Sequence, residues 1–183
     1  PIASKTIPGT AIAVGPVTYS ADSTLVALAG TVATKPTIVI RATATGVVVA
    51  TLVGHEAAVS SLAFSADKTK LVSGSADKTA RVWNLSDPTL PQLVVVMHDT
   101  AASAVALSLD GTQMFSASEN AIKQSTIADG AEVRQITGHT AVITSLVVSG
   151  TTLVSGSADM TVRTWNTATG AAIRSVNHGA AVT

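Results

Sequence analysis

LVSGSADKTARVWN (residues 71–84) and LVSGSADMTVRTWN (residues 153–166) are one stretch written twice, identical at eleven of fourteen positions. Their tryptophans, Trp83 and Trp165, stand 82 residues apart, so the period of the chain is 82 residues or half of that. The midpoint decides between them. Ser125 lies 42 residues after Trp83 and 40 before Trp165, within SASENAIKQSTIADG (116–130), a weakened copy of the same outline. Forty-two residues before Trp83 stands Arg41, where TIVIRATATG (37–46) lines up with TVRTWNTATG (161–170). In three copies a glycine follows five residues after the tryptophan position: Gly46, Gly130 and Gly170. The second copy has the longer SDPTLP (86–91) in that place.

A second marker keeps the same period. Gly54-His55 and Gly138-His139 each follow an apolar run, and His98 and His178 take the same place in their repeats. All four histidines of the chain thus occupy one repeat position. In the first repeat Gly9-Thr10 stands there. Each repeat holds four short runs that suit strands, separated by turn residues. In the second repeat they fall near 58–64, 70–75, 79–83 and 92–97, with Ser65-Ala66-Asp67 and Ser75-Ala76-Asp77 as turns. No segment has a sustained helical period. Four antiparallel strands every ~40–45 residues make one blade of a β-propeller.

At these residues the chain resembles the WD40 family of β-propellers. The order GH…SGSxDxTxRxWN is specific, strong in repeats two and four and weaker in one and three. The resemblance implies an all-β fold of four WD40-type blades, each of four antiparallel strands. Blade limits near 8–53, 54–97, 98–137 and 138–177 follow, within a single segment 1–183. Residues 1–7 look like the outer strand of a preceding blade. Residues 178–183 look like the start of a further repeat, since HGAAV resembles HEAAV at 55–59. Propellers of this family resemble discs of seven or eight blades, so four blades are half or part of a ring. Closure by a second copy, or by further blades of a longer chain, are both open expectations.

The resemblance also places a hydrogen-bond network inside each blade. His55, Ser73, Asp77 and Trp83 match it in repeat two, and His139, Ser155, Asp159 and Trp165 in repeat four. The chemistry is consistent without the family. An Asp in a tight turn fixes the His tautomer, the His reaches the Ser hydroxyl, and the Ser accepts the indole N–H. Repeat three offers His98, Ser116, Glu119 and Ser125, and repeat one Thr10, Ala27, Lys35 and Arg41. Blades one and three are expected to pack less tightly.

A hydrolase reading of His, Ser and Asp is disfavoured. The set occurs twice at nearly the same spacing, and no G-x-S-x-G elbow accompanies it. Zinc is disfavoured because each His belongs to a different blade; no metal and no cofactor is expected. Asp22, Asp67, Asp110 and Asp129 read as turn residues. The connection 30–36, ending in Lys35-Pro36, reads as a long surface loop.

Composition agrees with a packed β domain. Eleven basic residues balance eleven acidic ones with no basic stripe, which argues against nucleic acid as a partner. Charged residues make up only 12%, while Val and Thr, which suit half-buried strands, are abundant. There is no cysteine, which excludes disulfides and thiol chemistry. No apolar run reaches the roughly 18 residues of a membrane-spanning helix. Low charge and Ala, Thr and Val richness lean towards a bacterial, exported protein. The expected function is a non-catalytic protein-interaction scaffold or assembly subunit. The alternative is a sensor or targeting domain of a larger protein, an enzyme included; sugar binding is weakened by only 3% aromatics. By the family resemblance, the partner-binding face includes Glu56, Ala57, Ala76, Lys78, Thr140, Ala141, Ala158 and Met160.

Overall fold

The structure, a computed structural model, describes residues 15–87 and 92–182. These form sixteen strands in four sheets of four, and among the described residues there is no helix. Blade 1 holds β1 (Val17–Tyr19), β2 (Leu25–Val32), β3 (Lys35–Ala42) and β4 (Val48–Val53). Blade 2 holds β5 (Val59–Phe64), β6 (Lys70–Ser75), β7 (Thr79–Asn84) and β8 (Gln92–Met97). Blade 3 holds β9 (Ala102–Leu107), β10 (Gln113–Ser118), β11 (Ala121–Thr126) and β12 (Glu132–Thr137). Blade 4 holds β13 (Ile143–Ser149), β14 (Thr152–Ser157), β15 (Thr161–Asn166) and β16 (Ala172–Asn177). Every sheet is an antiparallel meander in chain order. The first strands β1, β5, β9 and β13 contact one another in succession, so the blades stand side by side.

The strands expected for the second repeat are met to within a residue or so at their ends. The first repeat brings a correction. Residues 30–36 are not a loop: β2 runs on to Val32 and β3 begins at Lys35, with Thr31 opposite Pro36. Ala33 and Thr34 alone make the turn, with φ of 47° and 75°. Positive φ at both central residues suits the right-handed twist of a two-residue hairpin. Thr31 and Val32 are β-branched and extend the ladder, which outweighs the Pro signal. Residues 1–14, with the expected outer strand 1–7 and Thr10, lie outside the described residues, as do 88–91 within 86–91.

The core lies between blades, since each sheet buries its apolar faces against its neighbours. Ala27, Ala29, Ile38, Ile40 and Leu52 of blade 1 meet Leu62, Leu71 and Trp83 of blade 2. Val72, Ala80, Val82, Val94 and Val96 of blade 2 meet Val105, Leu107 and Met114 of blade 3. Phe115, Ala117, Ile122 and Ile136 of blade 3 meet Ile143, Leu153 and Trp165 of blade 4. The two tryptophans thus serve the first and third interfaces, and the middle one has none.

Hydroxyls on the first strands tie the blades together. Ser60 donates to the Ala102 carbonyl, Ser103 to that of Ile143 at 2.6 Å, and Thr144 to that of Val182 at 2.7 Å. His98 N–H donates to Lys78 O at 2.9 Å, and His178 N–H to Met160 O at 2.8 Å. Residues 178–182 therefore stand to blade 4 as 98–102 stand to blade 2.

Candidate functional site

The SGSxDxT turn builds the site. In blade 2, Ser75 and Thr79 close the hairpin between β6 and β7, and Asp77 accepts the Thr79 N–H (2.9 Å) and hydroxyl (2.6 Å). This aims the second carboxylate oxygen at His55 Nδ1, 2.7 Å away, where it also accepts the Glu56 N–H at 3.0 Å. With its proton on Nδ1, His55 accepts the Ser73 hydroxyl at Nε2 (2.7 Å), and Ser73 Oγ accepts the indole N–H of Trp83 (2.8 Å). Blade 4 repeats the set: His139–Asp159 at 2.7 Å, His139–Ser155 at 2.7 Å, and Trp165–Ser155 at 2.8 Å. Thr140 N–H and the Thr161 hydroxyl take the places of Glu56 and Thr79. The indole and imidazole meet edge-on, with centroids 5.9 and 6.0 Å apart.

Protonation follows from this wiring. Burial pushes His55 below its ordinary value, against the pull of Asp77, and so favours the neutral ring that the network needs. Burial alone would raise Asp77. The Thr79 hydroxyl, the Glu56 N–H and His55 together outweigh it and hold the carboxyl at about 2. The same contest leaves Asp159 well below the carboxylate range. His55 is 5% exposed and His139 3%. Both ring nitrogens of each are engaged and no side of the Ser hydroxyl opens to a substrate, so this is not the geometry of a nucleophile and base.

The glycines before the histidines have a packing reason. A Cβ on Gly54 would stand 3.2 Å from the Trp83 ring, and one on Gly138 2.9 Å from that of Trp165. Gly130 and Gly170, at φ of 78° and 73°, press on the outer strand of the blade before: an added Cβ would lie 2.6 Å from Val94 and 2.8 Å from Arg134. The turn reading of the aspartates agrees with the geometry. Asp22, Asp67 and Asp110 each accept the hydroxyl of Ser20, Ser65 or Ser108 and the N–H of Thr24, Thr69 or Thr112. Asp129 accepts from the Thr126 hydroxyl and the Ala131 N–H.

The weaker blades depart from expectation at named positions. In blade 3 His98 bonds Ser116 at 2.9 Å, but Glu119 does not join them. The turn there is one residue shorter, pairing Ser118 with Ala121, and leaves Glu119 exposed at a φ of 53°. Ser125 fills the tryptophan position, buried, with no partner for its hydroxyl among the described residues. In blade 1 the register sets Leu28, not Ala27, opposite Val39, at the place of Ser73 opposite Arg81. Arg41 takes the tryptophan position, 9% exposed, and donates to Gly46 O at 2.8 Å.

Of the residues expected on the partner face, Glu56, Ala76, Lys78, Thr140, Ala158 and Met160 are exposed, and Ala57 and Ala141 half-buried. Lys78 and Met160 have φ of 67° and 65° in the turns of corresponding hairpins, β6–β7 of blade 2 and β14–β15 of blade 4. The sequence reading missed the interblade hydroxyls and Gln124, whose amide reaches Thr167 O of the next blade at 2.9 Å. It also passed over Thr79 and Thr161, although the repeated D-x-T was visible. Among the described residues no group of three His, Cys, Asp or Glu is placed to hold a metal, and no helix is long and apolar enough to cross a membrane.

The family model described as "WD domain, G-beta repeat" matches residues 46–84 and 130–166, each spanning the outer strand of one blade (β4 or β12) and the first three strands of the next (β5–β7 or β13–β15). No curated protein sequence matches significantly. The fold is similar to a structure of U3-55K, with a TM-score of 0.81 at 20% identity, covering 92% of this chain and 53% of that one. It is similar to the RRP9 WD40 repeats, with a TM-score of 0.81 at 20% identity, covering 92% of this chain and 52% of that one. A chain of the Mitotic Checkpoint Complex gives a TM-score of 0.82 at 21% identity, covering 96% of this chain and 56% of that one. The chain therefore spans about half the length of these structures.

Proposed function

We propose that this chain, which carries WD40 repeats and the all-β blades of WD40 propellers, is a non-catalytic interaction scaffold whose fourth blade docks a further blade of the same kind. The observation that carries the reading is the bare flank of blade 4. By register Val147, Val154, Val162, Thr164, Arg174 and Val176 correspond to Ala63, Val72, Ala80, Val82, Val94 and Val96 of blade 2. Blade 3 covers the latter, leaving Val96 4% exposed, whereas Val176 is 49% and Val147 57% exposed. A row of valines at core positions marks an interaction surface. The contacts of 178–182 favour a blade as its occupant, because they repeat those that 98–102 make as blade 3 begins.

The neighbours support a protein-binding role in general terms, since one of them belongs to a complex. The buried, doubly committed His–Ser–Asp sets support the absence of catalysis. The test is a photo-crosslinking side chain at position 176, with one at Leu109 as an exposed control. Crosslinks from 176 to a strand flank of another blade, in a second copy or in another protein, are expected. Products equal at both positions, or crosslinks to unrelated surfaces, would overturn the reading.

A further inference from the structure

Blade 3 keeps the histidine of the network but has lost the carboxylate that holds it. In the tautomer of the intact blades, with Nε2 accepting from the Ser116 hydroxyl 2.9 Å away, His98 would bear its proton on Nδ1, the form an acceptor placed there selects. Neither that N–H nor the backbone N–H of Asp99 has a hydrogen-bond partner among the described residues. Their counterparts, His55 with Glu56 and His139 with Thr140, both point at one oxygen of Asp77 or Asp159, at 2.7 and 3.0 Å. Lys123 stands at the position of Arg81, which lies 3.9 Å from that oxygen in blade 2. The shortened turn leaves an open cavity of about 310 Å³ here, lined by His98, Asp99, Thr100, Ser118, Lys123 and Glu132 among others.

We infer that this cavity is a receptor for an external carboxylate, which takes the place of the missing aspartate on His98 Nδ1–H and the Asp99 N–H, with Lys123 beside it. These two donors correspond to the pair that holds one carboxylate oxygen in both sister blades, and unpaired donors in a half-enclosed site favour an anion. Opposing charge limits the affinity. Lys123 is shared with Glu132 at 3.2 Å, and the Asp99 and Glu119 carboxylates are close by. Binding is therefore weak for a lone carboxylate. It becomes useful where the group comes on a larger partner that brings its own contacts, so an Asp or Glu side chain of a bound protein and a free small acid share one chemistry.

Nuclear magnetic resonance of the full chain tests this. Sodium acetate is titrated against sodium chloride at matched ionic strength, then a short peptide bearing one Glu against the same peptide with Gln. Acetate is expected to shift the Asp99 amide and the His98 ring saturably, towards the positions of Glu56 and His55. Lys123→Arg should keep the effect and Lys123→Gln weaken it several-fold. A Glu peptide binding tenfold or more tightly than acetate assigns the carboxylate to a protein partner, and equal binding assigns it to a small acid. Shifts that are linear, equal with chloride, or unchanged in Lys123→Gln would overturn the inference. None of these outcomes bears on the flank of blade 4, so the docking proposal stands or falls separately.

Discussion

At the scale of residues, the serine at the centre of each network carries the most. Ser155→Ala would strand both the Trp165 indole N–H and His139 Nε2 in the core, and each buried orphan costs about 1–3 kcal/mol. The expected loss is about 2–4 kcal/mol in denaturant unfolding. Ser116→Ala strands only His98 and should cost about 1 kcal/mol. Equal losses would mean that the tryptophan adds nothing to the network. The pH dependence has a definite sign. Burial first, and Lys123 second, lower His98 from 6.5 to about 4. The unfolded chain then takes up a proton that the folded one refuses, so stability falls as pH drops from 6.5 to about 4. The upper bound is about 3 kcal/mol. A His98→Gln variant should flatten that part of the profile, read as melting temperature against pH. Asp77, held at about 2, acts in a lower window: its contribution is complete above pH 4 and is lost as pH falls towards 2.

At the scale of elements, the turns decide which blade fits which. Gly130 and Gly170 pair a left-handed φ with a close approach to the preceding blade, so Gly130→Ala meets both backbone strain and overpacking. It should cost about 2–4 kcal/mol, whereas Gly150→Ala, at a φ of 59° in open space, should cost about 1 kcal/mol. Thermal unfolding of the pair separates the two terms. The same elements show what the sequence makes legible. The GH and SGSxDxTxRxWN signals specify strands, turns and network in blades 2 and 4, because the residues they name are the ones that bond to one another there. Blade 3 is harder to read. Deleting one turn residue moves Glu119 out of reach, and spacing alone does not reveal where a shortened hairpin points. Residues 30–36 mislead for a related reason, since a proline and a glycine read as loop while the β-branched run between them pairs. The alternation of intact and eroded repeats, unexplained in one dimension, corresponds in three to alternating interfaces with and without a tryptophan.

At the scale of the whole molecule, three interfaces are closed and one flank of blade 4 is open. Val147, Val154, Val162 and Val176 give the flank of blade 4 apolar residues at positions that are apolar in blade 2, with Thr164 and Arg174 in place of Val82 and Val94, yet of these two flanks only that of blade 2 is covered. A sheet face that is apolar at core positions but exposed drives association, and charge placed there opposes it. The sequence shows the repeat that makes the two flanks equivalent. It does not show which flank is covered, because coverage depends on how blades follow one another in space. The measurement that tests this most directly is the native mass of the chain across a range of concentrations, for the wild type and a Val162→Glu, Val176→Glu variant. The account predicts discrete assemblies above the 18.3 kDa of one chain, which dissociate to that mass in the variant. A wild type that stays monodisperse at 18.3 kDa at every concentration, with the variant indistinguishable from it, would contradict the claim that the flank of blade 4 docks a second copy of this chain.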